Sequence, residues 1–488
     1  MPVPGTRRLC RFGLAAVLVT AIYALAFVDL PPQLQEPLPD PPSTLGGEPP
    51  GTQSVVAYSW ARRLALDYRP STDCPTGPSL SLRGLPSPSA SPNWLETLDG
   101  QLFLFSAHLD QRVTAYPNLR VIAVRSRPLE NLIYCTVWLD EDGQLRTVSM
   151  EALVSDIWLD QWGGVSETYT GVLITCPLPR NSSPRPIRVT VVGSACAGEV
   201  SQSVGVRLRE EREKDRGRRF TVCVKGLDFE EDVSAKLVSF VELNRILGAE
   251  RIYFYVFHVH ENVLRALRVF ERSNVVRWAN LTLPGSLPNE VEHRRRLLEG
   301  DVWLKRRLEL VPYNHCFYDS LQEADFVVPL DLDESIVPAH VDSWARLIED
   351  EEKRLGAAFR DFASYAVRNA YFFTELQPAS PRSGAPYLDT RRAGAVSPEG
   401  DAVKSFVSTR RALTVHNHYA LDTLRPATRR AHHFSPRDVL KHHHRLCDDR
   451  HLDCDSLMRD VTTDYSATRF ASELVNRTET ILGYLDML

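Results

Sequence analysis

The sequence has no Cys-x-x-Cys pair, no His-Glu-x-x-His motif, and no Gly-x-Gly-x-x-Gly following its first strand-like run of alternating strand and helix signals. The first absence leaves zinc-ribbon and thioredoxin-like readings without support, the second argues against a zinc hydrolase, and the third against a dinucleotide site. No long basic stripe with interleaved aromatics occurs, and the net charge is −5, so a nucleic-acid partner is not expected. Uncharged apolar runs long enough for a membrane are also scarce. The one that stands out, Phe12 to Val28, spans 17 residues, with Arg7, Arg8 and Arg11 before it and Asp29 after it. That charge asymmetry predicts a transmembrane signal anchor with a cytosolic amino terminus; a cleaved signal peptide is the alternative.

The organisation expected from this reading is a cytosolic tail at 1–11, an anchor at 12–28 and a stem at 29–92. Between Pro31 and Pro50 eight of twenty residues are proline, a composition that stays extended, and a Pro/Ser/Gly bias returns from Ser71 to Pro92. A lumenal location suits the cysteines. With Cys10 set aside as cytosolic, eight remain, an even number that permits full pairing in an oxidising compartment. Sequons at Asn181, Asn280 and Asn476 agree with that side of the membrane.

From 93 to 205, the runs LFLFSAHLD, LRVIAVRS, LIYCTVWLD, GVLITCPLP and IRVTVVG are rich in β-branched and aromatic residues and separated by turns. They predict a β-rich domain that serves as a packing platform or a carbohydrate-binding face. Cys135 and Cys176 lie on two of these runs and are expected to pair. The charged run Arg209 to Arg219 reads as a solvated linker. From 218 to 488 the pattern becomes strand, helix, strand, helix, strand, through FTVCVKG, an amphipathic Val233 to Leu247 stopped by Gly248, RIYFYVF, Val263 to Phe270 and VVRW. That alternation predicts an α/β fold with a parallel, Rossmann-type sheet.

The most informative stretch is DFVVPLDLDESIVP, Asp325 to Pro338. A short apolar strand ends where Asp331, Asp333 and Glu334 crowd three carboxylates into four residues. Burying them unpaired would cost several kcal/mol each, on the order of the usual penalties. Asp-x-Asp at the carboxyl end of a strand presents hard oxygen ligands to Mn²⁺ or Mg²⁺, which in turn can hold a diphosphate. Taken alone, such a cluster commonly marks a solvated turn; its place between two apolar runs favours the metal reading. Six of the fourteen histidines lie between His432 and His451, without the tight spacing of a zinc site.

Several of these segments together resemble glycosyltransferase family 92: CVKG at Cys223 to Gly226, LGAERIYFYV at Leu247 to Val256, YNHCFYDS at Tyr313 to Ser320 and DLDE at Asp331 to Glu334. VHNH at Val415 to His418 and HHHR at His442 to Arg445 look like that family's two late histidine motifs, and the resemblance runs from about Leu102 to the end. It implies a single-pass type II Golgi enzyme with a GT-A-like mixed sheet. It also implies inverting transfer of a hexose, galactose as in the family's β-1,4-galactosyltransferases, from a UDP-sugar to a glycan or glycoprotein acceptor. In that setting Asp331 and Asp333 are expected to bind the metal, with His416 as candidate third ligand, and Lys225 to position the nucleotide. A carboxylate base is required, with Asp361, Glu375 and Glu334 as candidates. The competing reading is a catalytically inactive lumenal protein that keeps the fold and binds glycans.

Overall fold

The computed structural model describes residues 72–74, 94–113, 117–159, 162, 168–178, 185–197, 202–208, 217–378, 386–448 and 452–486. All belong to one compact unit, 43–488; the other unit, 1–42, lies outside the described residues, as do the expected tail, anchor and most of the stem. Among the described residues no helix is long and apolar enough to cross a membrane.

The amino-terminal part is all β. Its strands follow the order Thr72–Asp73, Gln144–Glu151, Tyr134–Glu141, Arg185–Val192, Val204–Arg207, Leu102–Asp110, Asn118–Arg125, Thr170–Pro177 and Leu153–Asp156, and Leu95–Thr97 also pairs with Leu102–Asp110. Leu104, Val121, Val137, Val148, Ile174 and Val189 from six of these strands share one core. Cys135 and Cys176 join two of the strands through that core, as their positions in the sequence predicted. Thr72–Asp73 pairs with Gln144–Glu151 and Cys74 is bonded to Cys196, so this folded region takes in part of the segment read as stem.

Elements from Phe220 onward are numbered here in chain order. β1 (Phe220–Asp228), β2 (Ala249–His258), β3 (Val276–Asn280) and β4 (Phe326–Pro329) are parallel and stand in the order β3-β2-β1-β4. β4 and most of β1 and β2 are buried on both faces, which is why they read as near-continuous hydrophobic runs, whereas the edge strand β3 is only half-buried. α1 (Ser234–Leu247) and α2 (Glu261–Arg272) make the crossovers. Gly248, at φ 113°, ends α1 in a left-handed cap whose N–H reaches the Arg245 and Asn244 carbonyls, a conformation a side chain resists. α3 (Val291–Gly300) leads into α4 (Val302–Asp319), which packs between the sheet and the β-rich part through Leu308, Val311 and Phe317. Cys316 of α4 is bonded to Cys223 of β1.

After β4 come β5 (Glu334–Pro338), α5 (Trp344–Leu355), β6 (Phe362–Val367), β7 (Asn369–Phe373), β8 (Lys404–Ser408), β9 (Ala412–Val415), β10 (Ala420–Thr423), β11 (Arg429–His433) and β12 (Val439–Arg445). β8, β6 and β11 extend the large sheet beyond β4, with β4 and β8 antiparallel, so the sheet is mixed. β5, β12 and β7 form a separate three-stranded sheet that starts where the large one stops. The fold is therefore mixed α/β with a preceding β-rich part. Burying side chains such as Phe220, Trp344 and Phe406, which touch one another, contributes roughly 1.5 to 3 kcal/mol each.

Candidate functional site

The strand order reverses direction between β1 and β4, and ligands of open α/β sheets sit beyond the carboxyl ends of strands at such a point. Lys225 lies near that end of β1. Gly226 follows it because a Cβ there would stand 2.6 Å from the Phe257 ring. Beyond β4 the chain turns through Asp331 to Asp333. Glu334 fastens the turn, since its Oε2 accepts the Asp331 N–H at 3.0 Å and its own N–H donates to the Asp331 carbonyl at 3.0 Å.

Lysines bracket the acids. Lys225 Nζ lies 3.3 Å from Asp331 Oδ1 and 3.5 Å from Glu309 Oε1 on α4. Lys404, wholly buried at the start of β8, reaches Asp331 Oδ2 at 3.3 Å and Glu334 Oε2 at 3.2 Å, and also donates to Asn417. Lys441 of β12 donates to Glu334 Oε1 at 2.7 Å. Tyr313, one turn after Glu309, donates its hydroxyl to Asp331 Oδ1 at 3.4 Å. Asp333 is the most open of the acids; its Oδ2 lies 3.3 Å from His443 Nε2, and its carbonyl accepts the His444 N–H at 2.8 Å.

The electrostatics follow from this arrangement. Burial pushes the Asp331 carboxyl up, but Lys225 and Lys404 outweigh it and hold the group well below the usual carboxylate range. Glu334 is likewise opposed by burial and lowered by Lys404 and Lys441. Asp333, against burial, is brought to about 2 by the hydrogen bond and charge of His443. Lys225 is raised, its acidic neighbours overcoming burial. Asp331, Asp333 and Glu334 are therefore ionised at neutral pH, bracketed by Lys225, Lys404 and Lys441, with Lys236 also acting on Asp333, in a site open at Asp333.

The sequence candidates separate on this map. Lys225, Asp331, Asp333 and Glu334 come together. His416 does not join them: its ring lies 4.5 Å from Trp162 and 5.3 Å from both His418 and Tyr419. Among the described residues no three His, Cys, Asp or Glu side chains are gathered to hold a metal. Asp361 stands at the wrong end of the sheet. It precedes β6, whose Ser364 is opposite Val407, and Ser408 is opposite Phe326 at the start of β4, whereas Asp331 lies past the end of β4. Glu375 is exposed and accepts the Cys447 N–H at 3.0 Å, beside the Cys447–Cys454 bond. Glu334 has both oxygens engaged and acts as a clamp.

His443 belonged to the quoted HHHR motif but was not singled out; the register of β12 on β5, with His443 opposite Glu334, is what brings it to Asp333. Lys404 was missed although it is a lone lysine in the largely apolar run AVKSFV, a pattern that needs a buried partner, and Lys441 was hidden by the three histidines that follow it. Glu309 left no signal in sequence.

A divalent ion takes carboxylate oxygen and imidazole nitrogen at about 2.0 to 2.2 Å, so neighbouring ligands stand roughly 3 Å apart. Asp333 Oδ2 and His443 Nε2, 3.3 Å apart, fit that spacing. Asp331 fits less well because both its oxygens already face lysines.

Residues 218–482, from just before β1 into the helix α6 (Ala471–Tyr484), match the model of glycosyltransferase family 92. The chain belongs to that family. Every residue of the Asp331 cluster falls inside the match, and the β-rich part lies outside it, so the match starts later than the expected Leu102. No individual curated protein matches the chain. Family membership makes it a transferase of the glycosyltransferase class, with a sugar donor and a glycan acceptor as the expected substrates.

Proposed function

We propose that the chain is a metal-dependent, inverting glycosyltransferase of GT-A type that moves a hexose, galactose, from a UDP-sugar to a glycan hydroxyl. In this reading it works in the Golgi lumen as a single-pass type II protein anchored by residues 12–28. The observation that carries the chemistry is Asp333 and His443 side by side next to a lysine-bracketed Asp331, at the carboxyl end of β4.

Cleaving the bond to UDP builds negative charge on the diphosphate. Asp333 and His443 would hold Mn²⁺ or Mg²⁺, which would supply Lewis acidity to that leaving group. Lys225, with 30% of its side chain exposed, offers an ammonium to the phosphates from the strand end. Lys404 and Lys441 keep Asp331 and Glu334 ionised and hold the turn rigid, so the Asp333 carboxylate is set in place beforehand. A cavity of about 510 Å³ at the carboxyl ends of β2 and β3, lined by Glu230, Val256, His258, His260, Leu264 and Asn280, is the best place for the nucleoside. For the base, Asp401 is better situated than Asp361 or Glu375. It lies in the loop before β8, within electrostatic reach of Lys441, and burial raises its pKa toward the working range of a base.

UDP release from UDP-galactose, with EDTA and with Mn²⁺ restored, tests this reading. Metal-dependent release is expected; no release from any nucleotide sugar would leave the glycan-binding alternative in its place.

A further inference from the structure

His416 was drawn out by the sequence but is not absorbed by the metal-binding turn. Its surroundings give it another role. It occupies the turn between β9 and β10, closed by the His416 N–H donating to the Tyr419 carbonyl at 2.9 Å. α4 holds this hairpin in place: Asn314 exchanges hydrogen bonds with the Val415 N–H and carbonyl, and Tyr318 donates to the Leu413 carbonyl. The next residue, Asn417, accepts from Lys404, the lysine that bridges Asp331 and Glu334. The turn therefore touches the donor end of the site on one side.

On its other side the turn meets aromatic rings drawn from two parts of the chain. The His416 ring is 4.5 Å from Trp162, Trp162 is 5.0 Å from Trp158, and Trp158 is 6.2 Å from Trp303 at the start of α4. Trp158 and Trp162 follow the last strand to join the edge of the β-rich sheet, Leu153–Asp156. Trp158 is buried and anchors the row, while Trp162, Trp303 and His416 are only partly buried. Arg306 is exposed and lies over Trp303 at 5.1 Å. Burial, then the neighbouring His418 and Lys404, lower the His416 pKa well below its ordinary value, so the ring is neutral and carries one donor and one acceptor nitrogen. Its Nδ1 is buried with no hydrogen-bond partner.

A row in which Trp162 and Trp303 stay half-exposed beside a buried Trp158, ending in an unsatisfied imidazole nitrogen, is poorly explained as core. A buried polar atom without a partner costs about 1 to 3 kcal/mol and calls for a compensating role. Sugar rings have the matching chemistry, an apolar C–H face for an indole and a rim of hydroxyls for a nitrogen. We propose that Trp303, Trp162 and His416, backed by the buried Trp158, form the platform on which the glycan acceptor lies, with His416 at its polar end. The β-rich part then contributes directly to acceptor choice. This rests on the glycosyltransferase reading and adds to it the place and the surface of acceptor recognition.

The test uses the intact protein, UDP-galactose and a panel of free N-glycan and O-glycan oligosaccharides, with tryptophan fluorescence as a binding readout alongside transfer kinetics. Trp162→Ala should raise the acceptor KM roughly tenfold or more, the weight of one well-packed aromatic anchor, with a smaller change in kcat. Trp162→Phe should recover most of the loss, and Trp278→Phe, on β3, should leave the acceptor KM unchanged. Unchanged acceptor KM in both Trp162→Ala and Trp303→Ala, with wild type active, would overturn the platform and leave the glycosyltransferase reading standing. If wild type neither releases UDP nor transfers hexose, that reading fails instead. Fluorescence then decides the platform: oligosaccharide quenching that Trp162→Ala abolishes supports it, and no quenching by any oligosaccharide overturns it.

Discussion

Asp333 Oδ2 lies 3.3 Å from His443 Nε2, a contact between two sequence motifs made because β12 runs antiparallel to β5 and sets His443 opposite Glu334. The acidic turn and the late histidine motif are thus two halves of one site. The three lysines then decide how the rest of that site behaves.

Lys404 is the most exacting of them. Replacing it with Ala takes from Asp331 and Glu334 the ammonium they share in the interior. Removing one partner of a buried ion pair typically costs about 3 to 5 kcal/mol. Lys404→Ala should therefore lower the urea midpoint sharply, whereas Lys353→Ala, on the exposed face of α5, should change stability by less than about 0.5 kcal/mol and barely move the midpoint. Equal midpoints for the two variants would show that Lys404 is not bearing on the buried acids.

The disulfides should rank by the chain they enclose. Cys223–Cys316 closes a separation of 93 residues and Cys447–Cys454 one of 7. Loop-closure entropy assigns roughly 4.6 kcal/mol to the first and 2.4 to the second. Denaturant titration of the two Cys→Ser double variants should show the larger loss for Cys223 and Cys316, and a reversed order would contradict this. The Cys223–Cys316 variant should also weaken donor binding, because that bond ties the strand of Lys225 to the helix of Glu309 and Tyr313.

Acid should destabilise the protein before its carboxylates titrate. Burial, then Lys404 and Lys441, depress His418 to about 3, and His416 is depressed as well, while both titrate near 6.5 once unfolded. Between the folded and unfolded values the unfolded chain binds more protons, so stability rises with pH there and is lost as pH falls below 6.5. For His418 the loss by pH 5.5 is roughly 1.4 kcal/mol. Thermal midpoints measured from pH 7.5 to 5.5 should decline, and the decline should be shallower in His418→Gln. A flat profile in wild type would contradict the neutral, buried state of these rings.

Local patterns carried much of this fold. FTVCVKG, RIYFYVF and VVRW fall on β1, β2 and β3, and Gly248 stops α1, because an apolar strand and a glycine cap are set by neighbouring residues alone. Gln144–Glu151 and Leu153–Asp156 escaped notice because their outward residues are polar, and only pairing with their neighbours marks them as strands. The site was legible by halves. Asp331 and Asp333 show in sequence because they crowd together after a strand. His443, Lys404, Lys441 and Glu309 do not, since register and helix packing bring them in from far along the chain. Asp361 is close to Asp331 in sequence but lies at the opposite end of the large sheet, a separation set by strand direction, which composition does not carry.

In the proposed reaction Asp333 and His443 bind the divalent ion that carries the diphosphate. The most direct measurement is Mn²⁺ binding by titration calorimetry, with UDP present, for wild type, Asp333→Asn and His443→Ala, beside UDP release from UDP-galactose and the thermal midpoint. Wild type should bind one Mn²⁺. Each variant should keep its midpoint within a few degrees, lose Mn²⁺ binding and fall on the order of 10²- to 10³-fold in rate, the scale for removing one preorganised stabilising group. Near-normal Mn²⁺ binding and turnover in Asp333→Asn would contradict the claim and return the acidic turn to a structural role.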